Sequence, residues 1–217
     1  MRLYGYFRSS AAYRVRIALN LKGLRYDAVA VDLLANAQRD ADYLTRNPQG
    51  LVPALETDDG VLGQSLAIIE YLDEVHPEPA LLPPEPWQRA RARSLAYLIA
   101  CDTHPLNNLR VLNYLTRETG LSEAGRRAWM AHWMQTTFTA LEDQVDATPF
   151  CLGERVTLAD LCLVPQLFNA RRFEVDLSPY PRLIGIEAAM NAIPAVQAAH
   201  PSRQADAIGG AGTVTKQ

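Results

Sequence analysis

The chain has 217 residues, 48% of them hydrophobic and 21% charged, with a formal net charge of −3. This is enough apolar material for one domain or two small ones, and the near-neutral balance excludes a global pull toward nucleic acid or an anionic membrane. No apolar run approaches the roughly 18 residues of a membrane span, and residues 1–5 lack the apolar stretch of a secretory leader.

Three widely spaced cysteines, Cys101, Cys151 and Cys162, form no Cys-x-x-Cys pair. They argue against a disulfide framework and fit a reducing cytoplasm. The four histidines, His76, His104, His132 and His200, show no metal-ligand spacing, so no metal is expected.

Residues 2–7 read as a short strand and residues 12–22 as a helix that buries Val15, Ala18, Leu19 and Leu21 and stops at Gly23. Residues 26–31 are β-rich, and a polar helical stretch over 37–45 breaks at Asn47-Pro48-Gln49-Gly50. Residues 51–65 read as a hairpin around Asp58-Asp59-Gly60, because Asp-Gly tolerates the positive φ of tight turns. Ser65 is expected as N-cap of a helix over 66–75.

Residues 76–86 hold five prolines and make a stiff linker. Beyond it a long helix over 87–118 should kink at Pro105, which lacks a backbone donor. A second helix spans 123–145. Thr157 and Asp160 form a capping box for a third, and shorter helices follow Pro181 and Pro194. The expected domains are residues 1–80, of α/β class, and 87–207, all-helical, with 208–217 a glycine-rich flexible tail.

Several polar residues bear on function. Val52-Pro53 is open to a trans proline starting an edge strand or to a cis peptide. In the second case the Val52 amide and carbonyl would face outward, ready to pair with an extended peptide. Gln64 and Ser65 precede a helix whose free amides suit a carboxylate. Ser9 and Ser10 open the first helix. Without a histidine base and acid, or a Gly-x-Ser-x-Gly elbow, neither is expected to attack a substrate. A hydroxyl beside a helix N-terminus suits instead the stabilisation of a thiolate.

The stretch "SSAAYRVRIALNLKG" resembles the Ser-Ser-Cys-x-aromatic-Arg-Val-Arg-Ile-Ala-Leu signature of the zeta class of glutathione transferases, which includes maleylacetoacetate and maleylpyruvate isomerases. "NPQGLVPALETDDG", "QSLAIIEYLDE", "HPLNNLRVL", "VTLADLCLVPQLFNARRFEVDLSPYP" and "HPSRQADA" fit the same class in the same order, covering nearly the whole chain.

The resemblance implies a thioredoxin-like N-terminal domain (βαβ-ββα) that binds glutathione, and an all-helical C-terminal domain that holds a diacid. It implies that Val52 pairs with the cysteinyl backbone, that Pro53 is cis, and that Gln64 and Ser65 hold the γ-glutamyl end. Ser9 becomes the principal thiolate-stabilising hydroxyl, with Ser10 beside it. Ala11 stands where the class usually carries cysteine, which leaves a glutathione-thiolate mechanism intact and removes any role for a protein thiol there.

The implied reaction is cis–trans isomerisation of maleylacetoacetate in aromatic amino-acid breakdown, by thiolate addition, rotation and elimination. The alternatives are maleylpyruvate in gentisate breakdown, or a broader transferase acting on α-halo acids. Arg8, Arg110 and Arg172 are the expected carboxylate grips, since the guanidinium fork matches a carboxylate; Arg171 is the weaker neighbour. His104 and Asn108, four apart on one helix face, are the expected glutathione contacts, with Asn107 the alternative to Asn108. Arg14 and Arg16 are read as structural arginines, of the kind that pair with acids at the surface. A homodimer and no nucleic-acid or membrane partner complete the expectation.

Overall fold

The computed structural model describes residues 1–209. The described residues divide into two compact units, Met1–Ala80 together with residues 191–209, and Leu81–Met190.

The first unit opens with β1 (Arg2–Gly5), α1 (Ser10–Leu21), β2 (Asp27–Ala30), a 3-10 turn at Ala37–Arg39, α2 (Ala41–Arg46), β3 (Ala54–Thr57), β4 (Gly60–Gly63) and α3 (Ser65–Val75). The sheet order is β2-β1-β3-β4. β1 runs parallel to β2, with Leu3 opposite Ala28, and antiparallel to β3, with Leu3 opposite Leu55. β3 and β4 form the expected hairpin.

α1 is buried from Ser10 through Leu19, not along a single face. α3 packs against one side of it and the returning chain against another. Arg14 and Arg16 are therefore 1% and 4% exposed, which corrects their reading as surface arginines.

α3 brings a second correction. Its cap position is Gln64, at φ 67° and ψ 110°, with no side-chain bond to the helix amides; Ser65 is already the first helical residue. The positive φ turns the chain out of β4 one residue earlier than the Ser65 cap required.

The second unit holds α4 (Pro86–Tyr97), a π-helical turn at Leu98–Thr103, α5 (Leu109–Thr119), α6 (Glu123–Gln144), α7 (Leu158–Arg172) and α8 (Pro181–Asn191). The helix expected over 87–118 is broken rather than kinked. Pro105 supplies no amide, and Asn108 takes extended backbone (φ −67°, ψ 143°) with its Oδ1 accepting the Arg110 amide at 3.1 Å. A new helix thus starts where the old one was expected to continue. Trp129 Nε1 donates to Leu106 O at 3.0 Å across this break, and the Thr103 and Thr137 hydroxyls share a hydrogen bond.

α7 is the core helix of this unit, buried over most of its length and packed on α4. Asp160 anchors its start, accepting from Thr157 N at 2.7 Å, Thr157 Oγ1 at 2.9 Å and Cys151 N at 2.7 Å.

From Asn191 the chain rejoins the first unit through α9 (Pro194–Ala199), a 3-10 turn at Pro201–Arg203 and α10 (Ala205–Gly209). The sequence reading placed this segment in the helical domain with 87–207. It groups elsewhere because α1 binds its backbone: Asn20 Nδ2 donates to Ala195 O and Arg16 Nε to Ala199 O, both at 3.0 Å. The expected tail from 208 begins inside α10, and its part from 210 lies outside the described residues.

Candidate active site

In the first unit, Ser9 caps α1 from extended backbone (φ −70°, ψ 114°), and its Oγ accepts the Ala12 amide at 3.2 Å. A hydroxyl that accepts still has its own proton to give. Ser9 is half-buried and the first turn of α1 carries no acid, so the positive end of the helix is not neutralised from within the helix. These are the conditions that favour a neighbouring anion. Ser10 differs: it lies inside the helix at 5% exposure.

The loop before Ser9 is held from three directions. Ser9 N donates to Tyr6 O at 2.9 Å, Arg16 Nη2 donates to Phe7 O at 3.1 Å, and Phe7 N donates to Asp206 Oδ2 at 2.8 Å. Burial pushes the Arg16 guanidinium down to about 10, and its contacts are carbonyls of this loop and of α9. Arg8, next to Ser9, is exposed with its guanidinium 4.9 Å from the Phe7 ring centroid. Ala11 is 9% exposed, so the place of the class cysteine is a packing position.

The Val52–Pro53 peptide is cis. Leu51 O accepts from Tyr43 Oη at 2.6 Å and from Asn47 Nδ2 at 2.8 Å, which fixes the loop. Val52 packs against the core cluster formed by Tyr4, Val31, Tyr43 and Ala54. Among the described residues neither the N–H nor the C=O of Val52 makes a hydrogen bond. A half-buried peptide unit with both groups unpaired is a ready edge for another extended backbone. Gly50 sets up this edge. Its φ is +60°, and a Cβ there would come within 2.9 Å of Gln38 O.

At α3, Gln64 Nε2 donates to Gln49 Oε1 at 2.7 Å. Ser65 Oγ accepts from Arg14 Nη1 at 3.3 Å. The first amides of α3 thus have no side-chain cap.

The second unit holds the other expected residues. The shared helix face of His104 and Asn108 is lost with the break, and Asn108 is committed to capping α5. Asn107 is instead the amide with capacity to spare: it is 9% exposed, and neither its Oδ1 nor its Nδ2 has a hydrogen-bond partner among the described residues. Asn108 spends only its Oδ1 on the cap, so both asparagines keep an amide donor. His104 is half-buried after the π-helical turn. Arg110 is exposed in the first turn of α5, with no ion pair among the described residues.

At the end of α7 the two arginines divide. Arg171 Nε and Nη2 grip the Glu187 carboxylate, with Nη2 2.5 Å from Oε2. Arg172 is exposed with its guanidinium 4.7 Å from the Phe173 ring centroid. The two buried thiols make poor nucleophiles. Cys162 is buried, and burial foremost, with the Asp160 carboxylate next, pushes the Cys151 thiol well above its usual value.

The contacts of Arg14 with Ser65 Oγ and of Asp206 with the Phe7 amide are not foreseen from the sequence. Both residues lie in motifs that resemble the class, "SSAAYRVRIALNLKG" and "HPSRQADA", and that membership was the available signal.

Family models agree with this architecture. The glutathione S-transferase N-terminal domain matches residues 3–80 and the C-terminal domain residues 123–186. A maleylacetoacetate isomerase of Rhizobium meliloti is 52% identical over 204 residues, covering 93% of this chain and 96% of that protein. A holo structure of a maleylpyruvate isomerase, described as a bacterial zeta-class glutathione S-transferase, is 45% identical, with TM-score 0.92 over 95% of this chain and 99% of that one. The maleylacetoacetate isomerase of Methylobacterium extorquens AM1, with bound malonate and glutathione, is 44% identical, with TM-score 0.90 over 94% of this chain and 98% of that one. The chain belongs to the glutathione transferase family, in its zeta class.

Proposed function

We propose that the chain is a glutathione-dependent cis–trans isomerase that converts maleylacetoacetate to fumarylacetoacetate, acting in the cytoplasm as a homodimer. The observation that carries the chemistry is Ser9: a half-buried hydroxyl that accepts a helix amide and keeps its proton, at a helix start without an acid. The Rhizobium relative, 52% identical over 93% of the chain, supports the choice of substrate.

This chain's residues fit glutathione on three observations. The unpaired Val52 peptide beside Pro53 suits its cysteinyl backbone. The uncapped amides of α3, with Ser65 and Gln64, suit its γ-glutamyl carboxylate. The Ser9 hydroxyl suits its sulfur. When bound, glutathione supplies a thiolate that adds to the alkene and leaves after the bond has turned. Ser9 donates toward that sulfur and, with the N-terminus of α1, keeps it ionised at neutral pH. Arg8, Arg110 and Arg172 hold the carboxylates of the diacid; the Methylobacterium protein, with bound malonate and glutathione, supports a dicarboxylate as substrate. His104 and either Asn108 or Asn107 supply further polar contacts to glutathione.

Maleylpyruvate is the second reading, favoured by the maleylpyruvate isomerase structure at TM-score 0.92. Measuring kcat/KM on both diacids, with and without glutathione, tests the assignment. A preference for maleylacetoacetate that requires glutathione is expected, and a strong preference for maleylpyruvate overturns it. No helix of the described residues is long and apolar enough to cross a membrane. Class resemblance supports the homodimer, and sedimentation tests it.

A further inference from the structure

Two arginines two residues apart on α1 are both buried, yet only one is accounted for by the fold. Arg16 places Nε, Nη1 and Nη2 on the carbonyls of Ala199, Tyr6 and Phe7. Arg14, 1% exposed, places only Nη1, on Ser65 Oγ at 3.3 Å. Its Nε and Nη2 have no hydrogen-bond partner among the described residues, and no carboxylate there forms an ion pair with it. A buried cation without a counter-ion is costly, and such groups are kept where they meet a charge. This one is aimed at the first residue of α3, a helix start with no side-chain cap.

We propose that Arg14 is a positioning residue for a carboxylate at the N-terminus of α3. By donating to Ser65 Oγ it fixes that hydroxyl as an acceptor on its inner side, so the Ser65 proton is directed to the arriving anion. Its uncompensated charge adds to the positive end of the helix and selects a carboxylate over a neutral group. This rests on the glutathione reading, in which the carboxylate is that of the γ-glutamyl end. Arg14 acts through Ser65 and the field and does not touch the sulfur.

The test compares glutathione with an analogue whose γ-glutamyl α-carboxylate is converted to the primary carboxamide. Titration calorimetry on the full chain should show glutathione preferred by about tenfold or more, as a charge-assisted contact implies. Arg14→Met removes the charge with an apolar chain of similar reach, and should shrink that preference below about threefold. Its kcat at saturating glutathione should stay within about twofold, because the loss is uniform binding and falls on KM. Arg14→Lys, which keeps the charge without the fork, should recover part of the preference. A wild-type preference in Arg14→Met overturns the proposal.

If Arg14→Met does not fold, the wild-type Arg14 Nε–H resonance decides. It should shift with glutathione and not with the carboxamide, and an equal response to both overturns the proposal. Failure of the wild-type chain to bind glutathione at all would instead overturn the functional reading.

Discussion

Asp206 Oδ2 accepts the Phe7 amide at 2.8 Å, joining residues 199 apart in sequence. The bond fixes the loop that delivers Ser9 to the start of α1, and Arg16 reinforces it by spanning Phe7 O and Ala199 O. The far end of the chain is thus part of the support of the site's first hydroxyl. Asp206→Ala should cost about 1.5–3 kcal/mol of stability, the range of a charge-assisted hydrogen bond. It should also lower kcat, because misplacing a positioned group is costly. Thermal unfolding and turnover of the variant check both effects, and unchanged turnover would detach the segment from the site.

Ser9→Ala should leave a folded protein that has lost most of its activity. The missing cap costs about 1 kcal/mol, too little to unfold a typical domain. The distinguishing readout is the thiol of bound glutathione, titrated by thiolate absorbance: its pKa should rise in Ser9→Ala. Ser10→Ala should move stability and leave that pKa in place, since Ser10 is buried inside α1.

The two asparagines before α5 should separate cleanly. Asn108→Ala removes a helix cap and should cost about 1 kcal/mol in unfolding experiments with KM for glutathione unchanged. Asn107→Ala removes an amide that makes no internal hydrogen bond among the described residues, so it should cost little stability and raise KM. The reverse pattern would assign the glutathione contact to Asn108.

The adjacent arginines of α7 should separate in the same way. Arg171→Ala breaks the bond to Glu187 and should lower stability by about 1 kcal/mol, the pair being partly solvent-screened. Arg172→Ala should leave the fold intact and raise KM for the diacid on the order of tenfold. An unchanged KM would assign the carboxylate to another arginine.

These pairs also show what the sequence made legible. The βαβ-ββα order, the Asp-Gly hairpin and the capping box of α7 are local patterns, in which neighbouring residues satisfy one another. They were readable without tertiary knowledge. Ser65 was misread because its neighbour Gln64 takes a positive φ, which no propensity favours in glutamine. The common helix face of His104 and Asn108 was not legible, because a helical spacing continues through Pro105 while the backbone stops and restarts.

Arg14 and Arg16 are expected as structural arginines paired with acids at the surface, and instead are buried. Their burial depends on α3 and α9 packing on α1, the second from the other end of the chain. Ser9, Val52, Pro53, Gln64 and Ser65 are expected as a set only through the class resemblance, and the geometry adds which polar groups of Ser9 and Val52 are left to donate or accept.

The most direct test of the central claim is to follow free thiol while maleylacetoacetate is turned over with glutathione present. An isomerase built on a returning thiolate should give fumarylacetoacetate over many turnovers with thiol concentration constant, and none above background without glutathione. Thiol loss equal to substrate consumed, or equal rates with and without glutathione, would contradict the account.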